Sequence, residues 1–84
     1  MQGTDISFSK IIRIGERLRE FNFRKLPGTE SFGINVTDDK GKRILFNLHK
    51  NPDGSWTIQG QNLPQWLQFA ESHLGGAIEK ELKP

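Results

Sequence analysis

The sequence predicts an α+β fold: a two-layer sandwich in which a four-stranded antiparallel sheet carries an N-terminal and a C-terminal helix on one face, in the order αββββα. Three observations point there. Between residues 31 and 59 apolar side chains alternate with polar ones, the period of half-buried strands. Tight-turn sequences separate those runs, so consecutive strands pair antiparallel. At both ends of the chain apolar residues recur at spacings of three and four, the mark of amphipathic helices that need a sheet face to cover.

The first element lies in "DISFSKIIRIGERLREFNFRKLPG". Phe8, Ile11, Ile12, Gly15, Leu18 and Phe21 share one helical face, which predicts a helix over 7–21. Asp5 or Ser7 suits its N-cap, and Asn22 suits the left-handed residue past its end. Read as a strand, the segment points Ile11 to the wrong side. Gly15 weighs against the helix by about 1 kcal/mol relative to Ala, too little to reverse the assignment.

After Asn22 the period becomes two. "NFRKL" is a short strand ended by Pro27-Gly28, a pair suited to a type II turn. "SFGINVTD" sets Phe32, Ile34 and Val36 on one face, and "DDKG" closes a hairpin with Gly41 available for a left-handed position. "KRILFNLHK" turns Ile44, Phe46 and Leu48 inward, "NPDG" turns the chain again, and "SWTIQG" returns with Trp56 and Ile58 inward. The last segment, "NLPQWLQFAESHLGGAIEKELKP", offers Asn62 as a cap and Pro64 in the first turn. Leu63, Trp66, Leu67, Ala70, Leu74, Ala77, Ile78 and Leu82 form its apolar stripe, with Gly75-Gly76 a point where the helix could bend or split.

Eighty-four residues suffice for one small domain. Six Phe and two Trp, in a chain with 33% hydrophobic and 26% charged residues, mark it as folded rather than disordered. The absence of cysteine excludes disulfides, thiolate metal sites and a thiol nucleophile. No apolar run has the length of a membrane span, and the opening "MQGTDI" is polar; both point to the cytoplasm.

Catalytic and metal chemistry find no support in the pattern. His49 and His73 each lack a second ligand at metal-binding spacing. Aligning Gly41 with the glycine of a calcium loop puts Val36 and Lys40 at ligand positions. No phosphate-cradling glycine loop and no local nucleophile motif occurs. The expectation is a non-enzymatic domain with no catalytic residue, no cofactor and no metal.

Two surfaces remain. With both helices on the Phe46/Trp56 side, Asn35, Arg43, Leu45, Asn47, His49, Thr57 and Gln59 fall on an open sheet face. Its neutral hydrogen-bonding groups and one leucine suit a protein partner or a homodimer. It lacks the aromatics with which sheets stack RNA bases. The second surface is a basic stripe on the first helix, Lys10, Arg13 and Arg17, extended by Arg24 and Lys25. It would suit phosphates or an acidic protein, but the whole chain is only +2, so nucleic acid is the lesser expectation.

The helix–sheet–helix order is similar to the double-stranded-RNA-binding fold and to the small HicA-type RNA-cleaving toxins that share it. "SKIIRIGERLREFNFRKLPGTESF" resembles the opening helix and turn of those toxins. The resemblance implies a histidine after the glycine, where this chain has Thr29-Glu30-Ser31, and a lysine-rich start to the last helix, where it has "NLPQWLQFAES". No family follows from it.

Overall fold

The computed structural model describes residues 6–82. Five strands, β1 (Ser7–Ile14), β2 (Arg17–Lys25), β3 (Phe32–Thr37), β4 (Arg43–Lys50) and β5 (Trp56–Gln59), precede one helix, α1 (Trp66–Leu82). The strands lie side by side in chain order, every neighbouring pair antiparallel. This corrects the expected αββββα order: the N-terminal helix over 7–21 does not form, and the sheet has a fifth strand in its place.

The reason lies in which residues the segment buries. Phe8, Ile12 and Ile14 of β1 and Phe21 and Phe23 of β2 alternate onto the face that meets the helix. Ile11 and Leu18, which completed the helical spacing, point to the other face and stay 69% and 71% exposed. Gly15 has φ +65° and Glu16 follows it between the paired Ile14 and Arg17. That is a two-residue type II′ hairpin turn, whose first position requires a glycine-like φ. The residue that weakened the helix is the residue that makes the turn. Asn22, expected to end a helix, sits inside β2 opposite Ser9, and Ser7 opens β1; Asp5 lies outside the described residues. The likeness to helix–sheet–helix folds disappears with the first helix.

The core forms between the sheet and α1. Phe21, Phe23, Phe32, Ile34, Val36 and Leu48 come from the strands, and Leu67, Ala70, Leu74 and Ile78 come from one helix face. The helix runs unbroken through Gly75-Gly76. The two glycines differ in kind: a Cβ on Gly75 would stand 2.5 Å from Cδ1 of Trp56, whereas one on Gly76 would meet nothing within 4 Å. Gly75 therefore makes room for the Trp56 ring. That ring also meets Phe32 edge-on at 6.1 Å, and its Nε1 donates to Glu79 at 3.2 Å.

The turns use local chemistry. Asp38 Oδ1 accepts from the N–H groups of Lys40 and Lys42 at 2.9 and 2.8 Å, closing β3–β4 around Gly41. Asp53 accepts from both the hydroxyl and the N–H of Ser55, and these hydrogen bonds hold its carboxyl below the usual carboxylate range. Asn62 takes φ +57° in the link to α1, four residues before the helix, so it turns the chain and does not cap it.

Candidate functional site

The helix covers one face of the sheet and leaves the other open. Strand alternation places Asn35, Arg43, Leu45, Asn47, His49, Thr57 and Gln59 together on that open face, at paired positions of β3, β4 and β5. The β1–β2 hairpin extends it with residues that the helical reading could not place there: Ser9, Ile11, Arg13, Leu18, Asn22 and Arg24. An alternative reading of Ile14-Gly15-Glu16-Arg17 as a II′ turn between alternating runs was the signal that could have found them.

Register organises this face into rows across the strands. In one row Ser9, Asn22, Asn35 and Leu45 stand opposite one another in turn. The Ser9 hydroxyl donates to Asn22 Oδ1 at 2.5 Å, and Asn22 Nδ2 donates to Asn35 Oδ1 at 2.9 Å. The next row runs Ser7, Arg24, Gly33, Asn47, Gln59. Gly33 leaves a shallow depression of about 410 Å³ there, lined by Arg24, Leu26, Leu45, Asn47 and Gln59 among others. Neither a positive φ nor crowding requires glycine at this position, since a Cβ would only reach ordinary contact with Leu26 at 3.5 Å.

At the far side His49 Nδ1 and Ser31 Oγ lie 3.0 Å apart, and Thr57 Oγ1 accepts from Asn51 Nδ2 at 2.8 Å. The Ser9–Asn22–Asn35 ladder and these two pairs hold part of the polar set in place. Side chains held in this way lose less freedom on binding. Three large apolar side chains interrupt the face: Ile11, Leu18 and Leu45.

The basic stripe is corrected with the helix that carried it. Lys10 points to the helix side and pairs with Glu81 at 3.3 Å. Arg17 lies 3.3 Å from Asp39, which also holds Arg19 at 3.1 Å. Lys25 Nζ donates to the carbonyl of Thr29 at 2.5 Å. Arg13 and Arg24 alone of the five face the open side, on separate strands. The five cations form no single surface.

Among the described residues no cluster of three His, Asp or Glu side chains could hold a metal, and no helix is long and apolar enough to cross a membrane. No family model, curated protein or solved structure matches the chain.

Proposed function

We propose that this chain is a small non-enzymatic interaction domain that docks a protein partner on the open face of its sheet. The observation that carries the reading is the exposure of Ile11, Leu18 and Leu45, at 69%, 71% and 70%, on the face that α1 does not cover. Single exposed apolar residues are ordinary. Here, however, Ile11 and Leu18 are diagonal neighbours across β1–β2, since Ile11 pairs with Glu20 and Arg13 with Leu18. An antiparallel sheet face that only meets water commonly carries polar side chains at such positions.

Between these apolar points lies the Ser9–Asn22–Asn35 ladder, a flat hydrogen-bonding surface suited to a polypeptide. No aromatic ring stands on this face to stack a base, which favours protein over single-stranded nucleic acid. We place the interaction in the cytoplasm as part of the same proposal, because the cysteine-free chain makes no use of an oxidising compartment.

Site-specific photo-crosslinking in living cells tests the reading. A crosslinker at Leu45 or Asn47 should give one discrete protein adduct, lost in the Leu18→Lys background. The same crosslinker at Gln68, exposed on the helix, should give none. Equal labelling from both sides, or none from the sheet face, would sink the proposal. An adduct with nucleic acid would convert the domain into a nucleic-acid binder.

A further inference from the structure

The two edges of the sheet are treated differently. β5 is four residues long. The bond from the Asn51 N–H to Ser55 O sets its phase, so Ile58 turns its N–H away from β4. That outward N–H donates to the Glu71 carboxylate of α1 at 2.8 Å. The helix thereby closes this edge against a further strand.

The β1 edge is eight residues long, with no proline and an unbroken register. The bond from the Lys25 N–H to Ile6 O sets the phase on this side. The even-numbered residues of β1 therefore bond to β2, and Ser7, Ser9, Ile11 and Arg13 turn their N–H and C=O groups outward. Among the described residues none of those outward groups has a hydrogen-bond partner. The helix packs on the inner face of β1, with Glu81 paired to Lys10, and a groove of about 770 Å³ walled by Ile12, Ser72 and Gly76 among others opens between them.

We propose that this chain forms a homodimer by pairing β1 antiparallel with β1 of a second copy, with the two-fold axis at Ile11. The register follows from self-complementarity. Centring on Ile11 sets the exposed Ile11 against its own copy, Arg13 against Ser9, and Lys10 against Ile12. Each outward-facing pair then exchanges N–H···O bonds in both directions. Moving the axis to Lys10 sets that lysine against itself, and moving it to Ile12 sets Ile11 against Arg13. Moving it to Ser9 places Ile11 opposite Ser7. The Ile11 register alone among these sets the one large exposed apolar side chain of β1 against its own copy, and it opposes no like charges.

The product is one continuous sheet built from both copies. On its open face the two Ile11 side chains meet at the seam, with Leu18 of each copy beside them. Lys10 and Arg13 of both copies gather near the seam, with Glu81 neutralising Lys10. Salt therefore strengthens this dimer, the opposite of its effect on phosphate contacts.

This inference shares Ile11 and Leu18 with the open-face reading but rests on the outward backbone groups of β1, which that reading does not use. Sedimentation velocity of the full chain, over about a hundredfold range of concentration at low and high salt, tests it. The wild type should pass from monomer to dimer, further at high salt. Ile11→Pro should stay monomeric with an unchanged circular dichroism spectrum, because the N–H it removes points away from β2. Ile11→Asp, which keeps the backbone donor and opposes two carboxylates, should also stay monomeric and serves if the proline variant does not fold. Leu45→Lys should leave the dimer intact while removing the open-face crosslink, so the two readings fail separately. A wild type monomeric throughout, a dimer that survives in a folded Ile11 variant, or one lost on Leu45→Lys would overturn the edge pairing.

Discussion

The β1–β2 and β4–β5 hairpins sit at opposite ends of one sheet and are fastened to the helix by different groups. On the β5 side Trp56 packs onto Gly75, Ile58 donates to Glu71, and Lys50 reaches Glu79 at 3.5 Å. On the β1–β2 side Arg19 lies over the Trp66 ring at 3.9 Å, Lys10 pairs with Glu81, and Ile14, Phe21 and Phe23 are buried in the core. The same helix thus holds both hairpins, but among the described residues it takes a backbone N–H only from the β5 edge. Both hairpins feed the core, but β1–β2 also carries Ile11 and Leu18 exposed and, among the described residues, outward backbone groups without a partner.

The comparison breaks most readily at Trp56. Its truncation to Ala removes the ring between Phe32 and Gly75, and should cost about 3 kcal/mol, a large share of the stability of a domain this size. Chemical denaturation measures it; a midpoint within error of wild type would mean that the helix is not held through β5. The neighbouring glycines give a finer test of the same contact. Gly75→Ala should destabilise by about 1–3 kcal/mol, because its Cβ would overlap the Trp56 ring. Gly76→Ala should stabilise by up to about 1 kcal/mol, since it adds helix propensity and meets nothing. Thermal melts that move the same way for both would show that the Trp56 contact is misplaced.

The same two hairpins show why part of the fold was legible and part was not. β3, β4 and β5 bury every second residue and expose polar ones between, apart from Leu45 and Gly33, so their period is plain in the letters. The helix stripe from Trp66 to Leu82 survives its two glycines because Gly75 is itself part of the buried face. In β1–β2 the pattern is confused by Ile11 and Leu18, apolar residues on the wet face whose spacing from Phe8 and Phe21 imitates a helix. A periodicity argument assumes that apolar means buried. Ile11 and Leu18 are apolar and exposed, so here that assumption fails. The candidate residues of β3–β5 were readable for the same reason as their strands, and those of β1–β2 were lost with theirs.

A smaller effect belongs to the ladder that joins the two ends. Asn22 is half-buried, accepts from Ser9 and donates to Asn35. Asn22→Ala should cost about 1–2 kcal/mol, leaving both partners to seek water on a partly covered surface. Asn47→Ala, on an exposed position of the same face, should stay within about 0.5 kcal/mol. Equal losses for both would mean that the open face is covered more evenly than its exposures show.

The smallest expected effect says most about the β1–β2 hairpin. Leu18→Thr exchanges an exposed apolar side chain for a β-branched one that suits a strand facing water. With the side chain 71% exposed, little packing is lost, and stability should change by no more than about 0.5 kcal/mol in either direction. The contrast is Leu48→Thr, fully buried between sheet and helix, where both volume and an unpaired hydroxyl count against the variant by about 2–4 kcal/mol. A Leu18 variant as damaged as the Leu48 one would place Leu18 in a core and return the segment to a helical account. If Leu18→Thr is neutral for folding, the leucine has no stabilising role that threonine cannot fill. Its presence beside Ile11 then needs an explanation outside the folded monomer, and the open face and the β1 seam are the two surfaces that supply one.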